Sequence, residues 1–145
     1  MRRMVLAILL IGLLGTGLEL VLIAHHEDAW QAIPLALTVL ALLLVGWHGV
    51  RPGSAALRLF RGVMVLFVAS GLLGMVLHYR ANVEFQREID PSLAGTRLFW
   101  KVVRAKAPPS LAPAVMAELG LLGLLFAYRG PAAGGASVRP GPQGG

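Results

Sequence analysis

The feature that most constrains this chain is a series of four apolar stretches, each near the length needed to cross a lipid bilayer. They run from about Met4 to Ala24, Ala29 to His48, Arg61 to His78 and Leu111 to Tyr128, divided by charged or Pro/Gly-rich breaks. A membrane helix takes about 20 apolar residues, because each residue advances the axis by only about 1.5 Å. The first stretch holds a single charge, Glu19, and the fourth a single charge, Glu118. None shows the ten-residue alternation of a membrane β-barrel. These stretches predict an all-α membrane protein: four transmembrane helices in an antiparallel bundle, forming one domain over residues 1–129.

Composition supports lipid as the solvent. The chain is 57% apolar and 14% charged, with a mean hydropathy of +0.73. Leaving out Tyr (2 of 145) and counting Gly (18 of 145) raises the apolar share to about 68%, against about 45–50% in soluble domains. A soluble globule of 145 residues has too much surface for its volume to hide that much apolar area. Zero cysteines exclude disulfide frameworks, thiol redox chemistry, Fe–S clusters and thiolate zinc sites.

Charge placement orients the spans, since Lys and Arg near span ends stay on the cytoplasmic side. With both termini inside, Arg2, Arg3, Arg51, Arg58, Arg61, Arg129 and Arg139 are cytoplasmic, and the first outer turn carries only Glu27 and Asp28. Arg80, Arg87, Arg97, Lys101, Arg104 and Lys106 then fall in the long outer segment, where the rule counts for less. The opening Met-Arg-Arg resembles a secretory signal, with Gly15-Thr16-Gly17 as a cleavage site. The apolar run continues to Ala24, beyond the roughly 7–15 residues of a signal core, so a retained span is expected. Arginine far outnumbers lysine, which suggests a GC-rich genome and a bacterial cytoplasmic membrane.

Local signals set the joints. Asp28 with Gln31 has the spacing of a capping box and opens the second helix. Pro34 lies inside that helix, removes one backbone hydrogen bond, and predicts a kink between Trp30 and Pro34. In the outer segment, Asp90-Pro91 reads as an N-cap with proline in the first turn, and Pro108-Pro109 as a stop. Together they bracket a helix over about 91–105. Its periodicity puts Leu98, Phe99, Val102 and Val103 on one face and Arg97, Lys101 and Arg104 on another. That pattern suits either an amphipathic helix contacting the lipid surface or one packed on its own protein. Trp30, Trp47, Tyr79, Trp100 and Tyr128 all fall at span boundaries, where aromatic rings anchor at headgroup level. Residues 130–145, rich in Gly and Pro, predict a disordered tail.

Ionisable groups inside lipid are expensive, so each one asks for a partner or a role. Glu19 is expected about 9 Å, and Glu118 about 12 Å, below the outer surface. Gly12, Gly15, Glu19 and His26 share a face within about 60°, as do Gly71, Gly74 and His78, and such small-residue faces admit close helix packing. The expectation is an outer-leaflet cluster of Glu19, Glu118, His26 and His78, with His25, Glu27 and Asp28 at its mouth. Such a group locks helices together as neutral acids and imidazoles, relays protons or binds a cation. Zinc, manganese or non-haem iron on these side chains, or haem between His25 or His26 and His78, are further readings.

No nucleotide loop, zinc-protease or serine-hydrolase signature is present. The net charge of +6 sits at span ends, where topology explains it, so no nucleic-acid partner is expected. No cofactor and no enzymatic activity are expected either. The reading is a non-catalytic structural or accessory component of a membrane assembly, in contact with the bilayer and with copies of itself or a larger partner. The alternative is a proton-coupled transporter or metal-binding membrane protein built on the Glu/His cluster.

Overall fold

In the computed structural model the described residues are 1–24, 27–105 and 109–128. They form five helices: α1 (Arg2–Leu22), α2 (Ala29–Val50), α3 (Ser54–Ile89), α4 (Gly95–Val103) and α5 (Ala114–Tyr128). Three of these, α1, α2 and α3, are long and apolar enough to cross a membrane, in keeping with an integral membrane protein. Helix α5 is shorter, with 15 residues and a rise of about 22 Å. The sequence places the start of the fourth span at Leu111. Residues 109–113 instead form turns, in keeping with Pro113, which disfavours helical backbone at the preceding Ala112.

The second helix begins as its cap dictates. The Asp28 carboxylate accepts from the Gln31 amide at 2.8 Å. The helix then runs through Pro34 as one element to Val50. One turn beyond the proline, the Thr38 hydroxyl donates to the Pro34 carbonyl at 2.8 Å.

The largest departure from expectation is α3. It does not stop at His78 but continues to Ile89, for 36 residues or about 54 Å, nearly twice the thickness of a hydrocarbon core of about 30 Å. Asp90 therefore closes α3 and does not open the next helix. Its carboxylate accepts from the Ser92 hydroxyl at 2.6 Å and the Ser92 amide at 3.0 Å, a local turn that diverts the chain. Helix α4 starts only at Gly95, whose φ of +56° suits a residue without Cβ. It covers nine residues, fewer than the expected 91–105.

One apolar core joins four of the helices. Leu9 and Leu13 of α1, Ala41 and Leu44 of α2, Phe60, Met64 and Phe67 of α3, and Leu119 and Phe126 of α5 are buried together. The closest approach is between α3 and α5. A Cβ built on Gly120 would lie 2.7 Å from the Met64 carbonyl oxygen and 2.9 Å from the Val68 amide nitrogen. On the facing helix, a Cβ on Gly71 would lie 2.5 Å from the Ala117 nitrogen, and one on Gly74 2.7 Å from Pro113 Cβ. At approaches this close a Cβ fits only if a neighbour shifts, the kind of packing that small-residue faces permit in membrane helix pairs.

A second, smaller cluster sits beyond the membrane-length part of α3. Leu93, Leu98 and Val102 pack on Tyr79 and Val83. Of the two settings open to α4, packing on its own protein thus takes Leu98 and Val102, while Phe99, Trp100, Arg97, Lys101 and Arg104 are exposed.

Candidate functional site

Glu118 and Glu19 occupy different settings. The buried residues of α5 include Gly120 and Gly123, and Glu118 lies about 140–160° round the helix from both. It is exposed, between the exposed Val115 and Leu121. Its carboxyl therefore stands on the apolar outer surface of α5, away from the shared core.

Two contacts fix how far each carboxyl lies along the molecule. The Arg2 guanidinium sits 4.9 Å from the centre of the Phe126 ring, and Gly12 abuts the Leu119 side chain. Helices α1 and α5 are thus antiparallel, and Glu118 is level with about residue 12 or 13 of α1. Glu19 is about six residues, or about 9 Å, further toward the α4 end, and is also exposed. Among the described residues neither carboxylate makes a hydrogen bond or ion pair, and no group of three or more His, Asp or Glu side chains is placed to hold a metal ion.

His78 serves as a joint. Its Nδ1–H donates to the Pro109 carbonyl at 3.0 Å, which fixes the tautomer and ties the turn before α5 to α3. His25 and His26 lie outside the described residues, as do Lys106 and the expected tail. Glu27 and Asp28 are exposed, Asp28 being engaged as the α2 cap. Of the small-residue positions expected to admit a neighbour, Gly12 meets Leu119, Gly71 meets Ala117 and Gly74 meets Pro113, whereas Gly15 has nothing within 4 Å.

The structure also assembles polar groups that sequence reasoning passed over. Asn82 is fully buried, and its amide donates to the Ser110 hydroxyl at 3.0 Å; Ser110 in turn donates to the Val102 carbonyl at 3.1 Å. This chain of hydrogen bonds pins α3, α4 and the turn before α5 to one another. The spacing of Asn82 and Gln86, one turn apart with no breaker between, carried the signal that α3 continues. At the other end, the Arg61 guanidinium donates from Nη2 to the Ala127 carbonyl at 2.8 Å. A cation is thereby set against the negative end of the α5 dipole.

Compared with known protein families, curated proteins and solved structures, the chain matches none.

Proposed function

We propose that this chain is a small multi-pass protein of a bacterial cytoplasmic membrane, acting as a non-catalytic structural or accessory component of a membrane assembly. In this reading α5, extended by the turn at residues 109–113, completes a fourth crossing, and both termini are cytoplasmic. The observation that carries the reading is Glu118. An ionisable side chain on the lipid-facing surface of a helix costs about 2.5–3.5 kcal/mol near the bilayer centre. A neighbouring helix with a hydrogen-bonding or cationic side chain at that depth offsets the cost. Among the described residues no Lys, Arg or His stands near residues 12–13 of α1, and in this reading the partner comes from another chain.

Cross-linking in native membranes, followed by native mass spectrometry of the extracted protein, tests the proposal. The expected result is a species larger than one chain that includes residues of α5. Recovery of monomer alone with linkers of several lengths would overturn it.

A further inference from the structure

We propose that the open cleft between α3 and α5 at the arginine-rich end binds the phosphate of an anionic phospholipid. Arg61 and Arg58 supply the positive charge, and Tyr128 a hydroxyl at headgroup level. The cleft, of about 580 Å³, is lined by Arg61, Leu124, Leu125 and Tyr128. Its chemistry is split: a guanidinium and a phenol at one edge, two leucines at the other. That is the division between a lipid headgroup and the acyl chains beneath it.

The cation is held in place before any ligand arrives. One Arg61 nitrogen donates to the Ala127 carbonyl, which fixes the guanidinium plane. Among the described residues its other N–H groups have no partner, and a guanidinium carries five donors. Arg58 is exposed, one turn nearer the same end of α3, and residues three apart on a helix share a face.

Charge balance points the same way. The chain has seven acidic residues: Glu19, Glu27, Asp28, Glu84, Glu88, Asp90 and Glu118. All lie toward the opposite end or along the spans. Among the described residues the arginine-rich end, with Arg2, Arg3, Arg51, Arg58 and Arg61, therefore has no side-chain carboxylate to balance it, which favours an anionic ligand there. A basic pocket between helices at the cytoplasmic surface is the setting in which anionic headgroups bind. The leucine edge commits the site to a lipid phosphate over a soluble one. The inference uses the membrane setting of α3 and α5 but not the assembly role, so either can fail without the other.

The test uses the full chain in detergent, titrated with phosphatidylglycerol or phosphatidylcholine and read by native mass spectrometry and thermal shift. Phosphatidylglycerol is expected to be retained and to raise the melting temperature, with phosphatidylcholine doing neither. Arg58→Gln should weaken phosphatidylglycerol about fivefold, the effect of one basic residue at an anionic surface, and Tyr128→Phe should weaken it less. Arg51→Gln, in the turn between α2 and α3, removes the same charge further from the cleft and should weaken binding less than Arg58→Gln does. Arg61→Gln also removes the α5 cap, so if it fails to fold, Arg58→Gln and Tyr128→Phe carry the test. Equal binding of the two lipids, equal losses for Arg51→Gln and Arg58→Gln, or the same stabilisation by inorganic phosphate alone would each overturn the proposal.

Discussion

Single residues decide how closely the helices pack, and two glycines separate packing from propensity. At Gly120 a methyl group meets the α3 backbone at 2.7 and 2.9 Å, and backbone cannot rotate aside. Gly120→Ala should therefore lose up to about 2 kcal/mol net. Overpacking costs roughly 1–3 kcal/mol and outweighs the gain of about 1 kcal/mol in helix propensity. Gly15→Ala meets nothing within 4 Å and should gain up to about 1 kcal/mol. Unfolding of both variants in lipid-like detergent compares them, and a Gly120→Ala protein as stable as Gly15→Ala would refute the close-packing account. At Asp90 the effect is electrostatic. The Ser92 hydroxyl, then the Ser92 amide, with Lys101 and Arg97 behind them, hold its carboxyl below the ordinary value of 3.8 against desolvation. A depressed carboxyl stabilises the fold above about pH 3.8. That contribution fades as pH falls through the lower folded value, and it is constant at neutral pH. Ser92→Ala should move the Asp90 titration upward in an NMR pH series; an unmoved titration would discount the Ser92 bonds.

At the scale of elements, the sequence was legible wherever one signal had one meaning. Asp28 with Gln31 named the start of α2, and periodicity placed Leu98 and Val102 on the buried face of α4, although Phe99, expected on the same face, is exposed. It was ambiguous where a signal had two meanings. Asp-Pro marks a helix start with proline in its first turn, yet proline is equally at home just past a helix end, and here Asp90 closes α3. Hydropathy falls after His78 because α3 leaves the apolar region, not because the helix ends; Asn82 and Gln86 face a small cap that the sequence does not advertise. The cap's stability should rest on its polar link. Ser110→Ala removes the acceptor of the buried Asn82 amide and the donor to the Val102 carbonyl. Losing a hydrogen bond of this kind costs about 0.5–1.5 kcal/mol. Amide hydrogen exchange should then speed up in α4 while the membrane-length part of α3 stays protected. Uniform change, or none, would mean that the apolar cluster of Leu93, Leu98 and Val102 suffices.

For the whole molecule, the arrangement makes both orientation and assembly measurable. Since the chain has no cysteine, single replacements report sidedness without background. In intact cells, Ser92→Cys should react with a membrane-impermeant maleimide and Ser54→Cys only after permeabilisation; the reverse would invert the topology. The candidate site was legible as residue types but not as geometry. Glu19 and Glu118 stand out in any hydropathy reading, but which way each faces depends on where the helices meet. Gly120 and Gly123, rather than the charge, fix the inward side of α5. Glu118 is thereby turned outward, and this gives assembly a distinctive signature. Glu118→Leu removes a lipid-exposed carboxyl that costs about 2.5–3.5 kcal/mol, so the isolated chain should insert and fold at least as well as the native one. The same change deletes the one polar group that the described residues place on that face, so association should weaken at least about tenfold, the equivalent of about 1.4 kcal/mol. A carboxyl that locked the bundle from within would behave oppositely, with leucine lowering the stability of the monomer. Measuring monomer unfolding and oligomer recovery on the same Glu118→Leu protein separates the two: stability kept with assembly lost supports an outward interface, and assembly kept with stability lost sinks it.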